Sequence, residues 1–304
     1  MLYYALFVVA TMINQINSVC LYKKYQTTAG TGLVANVIYM IINGIVSSIL
    51  PTAVILFLKR GLEATPYSLI FATATVICAA VSLICMLKVY ERGQIAIVNI
   101  LVTIGGIVLP CLWGVLVWKE ELSMQALLAI VIMIGAVFFM FDKNGEKLDK
   151  KSSWMYVIII LCTSLLTLLS KQHQIEKVYE TVDTISYSIW VGVIRTVLFV
   201  GIGILYVIKN GQSEGELIHK GFPSQPKGTV LYATLSSIAS GGCYILTLFT
   251  ATVLPVVITS PLGTGIGMVM SSLLPWLIYE EQLTGKQWAG IVLSFIGVFL
   301  FLLA

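Results

Sequence analysis

The sequence predicts an all-α polytopic membrane protein, with ten transmembrane helices arranged as two inverted five-helix repeats. Three observations carry this reading. Of 304 residues, 58% are hydrophobic and 11% charged, against about 25% charged in a soluble domain. The apolar residues fall into ten long runs separated by polar breaks. A charged hinge is also written twice, as Val117-Trp-Lys-Glu-Glu-Leu-Ser123 and again as Ile278-Tyr-Glu-Glu-Gln-Leu-Thr284.

A helix crossing a bilayer needs about 20 mostly apolar residues. Irregular backbone exposed to lipid cannot satisfy its hydrogen bonds, so such runs must be helical. The runs lie at 2–22, 33–58, 66–88, 95–117, 122–141, 153–171, 184–208, 229–250, 255–279 and 283–303. Between them stand the expected loop signals: Lys23-Lys24, Lys59-Arg60-Gly61, the polar stretch 142–151, and Asn210-Gly211 through Gly228. The first run begins at Leu2 with no basic segment before it and no small-residue cleavage site after it. It reads as a retained span rather than a signal peptide.

The duplication can be followed helix by helix. Lys23-Lys-Tyr-Gln26 matches Lys171-Gln-His-Gln174, and Tyr39-x4-Gly44 matches Tyr187-x4-Gly192, both 148 residues apart. The hinges follow 160 or 161 residues apart. The expected units are therefore 1–141, a connecting loop 142–152, and 153–304. Five is an odd number, so the second unit must insert upside down. Inverted repeats of this kind place a binding site at the repeat interface near the bilayer midplane. Twelve Lys and Arg residues fall on one side of this arrangement and five on the other, with Arg195 inside a span. The positive-inside rule then puts the 142–151 and 209–228 loops in the cytoplasm and both termini outside.

Several function classes are excluded. The formal charge of +4 is small, and no basic, aromatic-laced patch suggests nucleic acid. The six cysteines sit in apolar runs without a CxxC pair, which reads as packing. HExxH, GxSxG and Walker patterns are absent, and the histidines are two, His173 and His219. No enzyme activity, metal or cofactor is expected. The partners expected are the lipid bilayer and a small-molecule substrate, with monomer and homodimer both open.

The candidate substrate contacts are polar residues within spans. Arg195 lies about eleven residues from either end of its run. An Arg at mid-helix costs roughly 2.5–3.5 kcal/mol to insert, so it must face a cavity or a partner. It reads either as a ligand for an anion or as a cation bonded to carbonyls. Its counterpart in the first unit is Ser47, so the two halves differ there. Asn36, Tyr39 and Asn43 share one helix face. Asn14 and Asn17 form a similar pair, and Tyr187 and Trp190 lie on the face corresponding to Tyr39. Asn99 with Thr103, and Ser240, Tyr244 and Thr247, complete the set. Each group fits a binding cavity or helix–helix hydrogen bonding. Lys171 reads as a helix-end anchor or a cavity-mouth residue, and the Glu-Glu hinges as solvated helix ends. Gly290 and Gly297 are expected to pack the tenth helix on the fifth.

The segment from Gly105-Gly-Ile-Val-Leu-Pro110 to Trp118-Lys-Glu-Glu-Leu-Ser123, followed by a helix with Gly135, resembles the EamA-type branch of the drug/metabolite transporter superfamily. Ser260-Pro-Leu-Gly-Thr-Gly265 through Glu280-Glu-Gln-Leu-Thr284, then Gly290 and Gly297, is similar to that family's second copy. The resemblance implies ten helices as five-plus-five inverted repeats. It implies a cavity lined by helices one to four and six to nine, with five and ten peripheral. It also implies cytoplasmic termini, against the Lys/Arg count. The first helix carries Met12-Ile-Asn-Gln-Ile-Asn17 in place of the family's Trp-Gly-x-x-Phe. The small multidrug-resistance relatives use a deep carboxylate to exchange protons for cationic drugs, and no Asp or Glu falls inside a span here. The expected function is a secondary transporter or facilitator of a small neutral, zwitterionic or anionic metabolite in the plasma membrane, working by alternating access. The rival is a non-transporting membrane scaffold or accessory subunit, whose interior should be packed dry.

Overall fold

The computed structural model describes residues 2–90, 95–140, 153–210, 226–280 and 282–303. Among them are ten helical segments: α1 Leu2–Ala29, α2 Leu33–Phe57, α3 Pro66–Tyr90, α4 Ile95–Leu116, α5 Met124–Met140, α6 Ser153–Ile175, α7 Thr184–Asn210, α8 Pro226–Ala251, α9 Val256–Tyr279 and α10 Gly285–Leu303. Eight are long and apolar enough to cross a membrane, and α5 and α10 are shorter apolar helices. At 17 residues α5 rises about 26 Å, a little less than a typical hydrocarbon core of about 30 Å. The first helix outlasts its predicted end at 22. A π-turn over Ser18–Tyr22 carries it past Lys23 and Lys24 to Ala29. The connecting loop expected at 142–152 lies outside the described residues, as does most of the 209–228 loop.

Large apolar side chains point outward, Leu56 and Phe57 among them, as they must where lipid is the solvent. Inside, α5 and α10 pack against each other. A Cβ on Gly290 would lie 3.0 Å from the Met140 amide nitrogen and 3.1 Å from the Ala136 carbonyl oxygen, so glycine is what allows that approach.

The contacts between the two halves are reciprocal. α2 and α7 cross where Gly44 meets Gly192: a Cβ on either would sit 2.8–2.9 Å from the other's carbonyl oxygen. The flanking hydroxyls are exchanged too, Thr196 lying against Gly44 and Ser48 against Gly192. α4 and α9 show the same exchange. Pro110 cannot donate to the Gly106 carbonyl four residues back, and Ser260 Oγ donates to that carbonyl instead. Pro261 likewise frees the Val257 carbonyl, and Cys111 Sγ lies 3.7 Å from it. Tyr39 Oη bonds Ser236 Oγ at 2.9 Å, and its counterpart Tyr187 Oη lies 3.3 Å from Thr75 Oγ1. Mutual contacts of this kind are what a two-fold relation between two units produces.

The α2–α7 crossing yields a direct expectation. Gly44→Ala must push backbone from backbone, a cost of roughly 1–3 kcal/mol, and should lower the thermal midpoint. Gly135→Ala adds a Cβ with nothing within 4 Å, and should leave the midpoint unchanged or slightly raised. Equal midpoints for the two variants in detergent would show that the crossing is not tight.

Candidate functional site

A cavity of about 450 Å³ lies among α1, α3, α4, α6, α7, α8 and α9. That is within the ordinary range of small-molecule sites, about 300–1,000 Å³. Among the described residues two cations line it, Arg195 of α7 and Lys171 of α6, and no acidic side chain does. Arg195 donates through Nη1 to Asn43 Oδ1 of α2. Asn43 in turn donates through Nδ2 to Ser240 Oγ of α8, at 2.9 Å. The Asn43 amide therefore steadies the guanidinium from behind. Among the described residues this is the one hydrogen bond the guanidinium makes, so most of its five N–H donors remain for the cavity. Tyr244 also lines the cavity, and its buried hydroxyl stands beside Ser170 without a hydrogen bond of ordinary geometry.

Lys171 has a different environment. Its Nζ lies 2.5 Å from Glu120 Oε1 and donates to the Leu254 carbonyl at 2.8 Å. Glu120 Oε2 accepts from the Val257 backbone N–H at 3.0 Å, at the first turn of α9, where the helix dipole favours an anion. Gly114 leaves the space: a Cβ there would sit 2.8 Å from Glu120 Oε2. One carboxylate thus joins the end of α4, the end of α6 and the α8–α9 turn. The solvated hinge expected from sequence is corrected here, because the Glu120 side chain is only 13% exposed. The turn that delivers it is a residue in left-handed backbone, Lys119 at φ 57°, and Glu280 holds the same position in the second hinge at φ 55°. The equivalent cation–aromatic contacts also pair up: Lys171 stands 5.2 Å from the Trp118 ring and Lys23 3.8 Å from Tyr279.

Just beyond α6 the same membrane face carries a polar network. The Trp118 indole donates to Gln172 Oε1 at 2.8 Å, and Gln172 Nε2 to Glu176 Oε2 at 2.9 Å. Backbone N–H groups of Val178 and Lys177, with Gln172 and Tyr67, hold the Glu176 carboxyl down to about 2. Among the described residues no group of three or more His, Cys, Asp or Glu is placed to hold a metal ion.

A model of the EamA-like transporter family matches residues 150–303, which is half of the chain. The chain belongs to the EamA-like transporter family. It is therefore a multi-pass membrane protein of the drug/metabolite transporter type. A solved crystal structure of a protein superposes with a TM-score of 0.77 over 99% of both chains at 12% identity, a likeness of fold alone. No curated protein matches.

Of the residues expected at a site, this EamA-family chain brings Arg195, Tyr244 and Thr247 to the cavity wall, with Asn43 and Ser240 directly behind. The others stand elsewhere. Tyr187 is fully buried, stacked on His173 with ring centroids 3.8 Å apart. Tyr39 is buried beside Tyr22 and Tyr25. Neither ring faces lipid, and neither lines the cavity. Trp190 donates to the Glu63 carbonyl at 2.8 Å, at the membrane edge. Asn36 donates to the Thr31 and Gly32 carbonyls and accepts from Tyr22 Oη, so it ties down the start of α2. Asn17 is buried, Asn14 exposed, and Asn99 half-buried with its carbonyl accepting from Thr103. The cavity's remaining polar wall consists of Ser and Thr hydroxyls on α3, α6, α8 and α9. In the sequence nearly all of them are indistinguishable from packing residues, because single hydroxyls are common in apolar helices.

Proposed function

We propose that this EamA-family protein is a secondary transporter or facilitator of a small polar metabolite bearing an anionic group. It works by alternating access across the plasma membrane. The observation that carries this is Arg195, a fixed cation facing a cavity between the halves that no acidic side chain lines among the described residues. A buried guanidinium needs water or an anion, and a carboxylate or phosphate matches its planar fork. The reciprocal α2–α7 and α4–α9 crossings support rocking of one half against the other. A scaffold would have no need of a cavity of this size with an uncompensated cation in it. The test is counterflow in proteoliposomes, with labelled organic anions outside and the same unlabelled compound inside. At least one small organic anion is expected to exchange, with uncharged analogues of the same size slower. No exchange of any anion, neutral or zwitterion in a well-folded preparation would favour the scaffold.

A further inference from the structure

Six of the eight Ser and Thr hydroxyls of the cavity wall, those on α3, α8 and α9, share a directional property, and Thr167 and Ser170 of α6 are the other two. Each Ser or Thr hydroxyl has a single O–H to donate and two lone pairs that accept. Thr75, Thr247, Thr250, Thr259, Ser260 and Thr264 each spend that O–H on a helix carbonyl: of Phe71, Cys243, Thr247, Pro255, Gly106 and Ser260 respectively. All six line the cavity. What they offer a ligand is acceptor lone pairs. Donors for an anion are instead concentrated at Arg195 and at the Tyr244, Thr167 and Ser170 hydroxyls, none of which is committed to a helix carbonyl among the described residues, with Lys171 already occupied by Glu120. The cavity is thus polarised, with an anion-binding corner at Arg195 and a wall of acceptors from α3, α8 and α9.

The ligand that fits has a carboxylate at one end and several donors along its length. Those donors can be ammonium or hydroxyl, and charge decides between them. Among the described residues no acidic side chain lines the cavity, and the nearby Glu120 carboxylate is taken by Lys171 and the Val257 N–H. An ammonium group would therefore share a low-dielectric space with the Arg195 cation and find no counter-charge. Neutral O–H donors meet the same acceptors without that repulsion.

Resting on the transport reading above, we propose that the substrate is a small polyhydroxylated monocarboxylate, of the sugar-acid class, rather than an amino acid, a plain fatty carboxylate or a neutral sugar.

The experiment uses four probes on the purified full-length protein: gluconate, leucine, hexanoate and glucose. Thermal stabilisation reads binding, and proteoliposome counterflow reads movement. Gluconate is expected to stabilise and exchange, at affinity at least tenfold above the other three. Thr247→Val keeps the side chain's shape but removes an acceptor. It should weaken gluconate roughly five- to tenfold while leaving hexanoate unchanged. Thr259→Val and Thr264→Val are parallel variants in case one fails to fold. Hexanoate binding as well as gluconate, or a preference for leucine or glucose, would overturn the assignment while leaving transport standing. So would an absence of any gluconate shift, or unchanged gluconate affinity in all three Val variants. Gluconate binding without counterflow would support the ligand class and remove the transport reading instead.

Discussion

Arg195→Gln is expected to fold, to reach the membrane, and to lose anion-dependent stabilisation and transport by roughly 10–100-fold. The magnitude follows from the bonds lost, since a hydrogen bond to a charged group is worth about 1.5–3 kcal/mol and 1.4 kcal/mol is a factor of ten. The sign of the stability change separates the two readings of this residue. If Arg195 waits for substrate, the empty protein carries an uncompensated cation in a membrane span, and such a cation costs roughly 2.5–3.5 kcal/mol to insert. Gln removes that cost. The thermal midpoint of the unliganded variant should therefore hold or rise while function falls, the usual trade at a site. Arg195→Lys keeps the charge without the planar fork, so it should lose less than Gln. A structural cation behaves oppositely: its removal lowers the midpoint and spares affinity. Wild-type transport kinetics in a well-folded Arg195→Gln protein would take Arg195 out of the site and remove the anionic group from the proposed substrate.

How far the sequence reveals this arrangement depends on what a helix face can encode. The match of Tyr39-x4-Gly44 with Tyr187-x4-Gly192 is legible because the two glycines meet at the α2–α7 crossing, so each needs the other to be small. The paired hinges are legible because both α4 and α9 must be stopped, by Lys119 and Glu280 in left-handed backbone. A polar residue in a span announces only that it faces inward. Inward has two meanings in a ten-helix protein: the cavity, and the seams between helices. Arg195 and Tyr244 face the first, whereas Tyr39 and Tyr187 face the second. Asn36 shares a face with Asn43, which fits a cavity or a hydrogen bond between helices equally well, and it lies one turn from the start of α2 and binds carbonyls there. The Lys171–Glu120 pair was the least legible. Each residue alone looks like an ordinary charged helix end, and neither gives any sign of the other 51 positions away.

That pair is where the second large effect is expected. Lys171→Met should uncover the cavity, raising the labelling rate of Ala251→Cys by an impermeant thiol reagent at least tenfold in a cysteine-free background. Both side chains are largely shielded, at 7% and 13% exposure, and Ala251 lines the cavity that Lys171 borders. Removing one member of a buried ion pair costs about 3–5 kcal/mol, because the other charge stays buried without its partner. Here Glu120 would keep the Val257 N–H alone. The cost falls on the conformer in which α4, α6 and the α8–α9 turn are drawn together. A conformer that hydrates Glu120 escapes it, so the equilibrium between them should shift by two powers of ten or more. Adding Glu120→Gln to Lys171→Met takes away the stranded charge, and labelling should fall back toward the wild-type rate. That non-additivity identifies the ion pair itself, since independent losses of packing would add. Gly44→Ala serves as the control for general loosening, because it strains the α2–α7 crossing without touching the pair. Its labelling rate should stay near wild type well below its midpoint. Were Gly44→Ala and Lys171→Met to label alike, or the double variant to label faster than Lys171→Met, Glu120 and Lys171 would be an ordinary structural contact, and the closure of this side of the cavity would have to be sought in other residues.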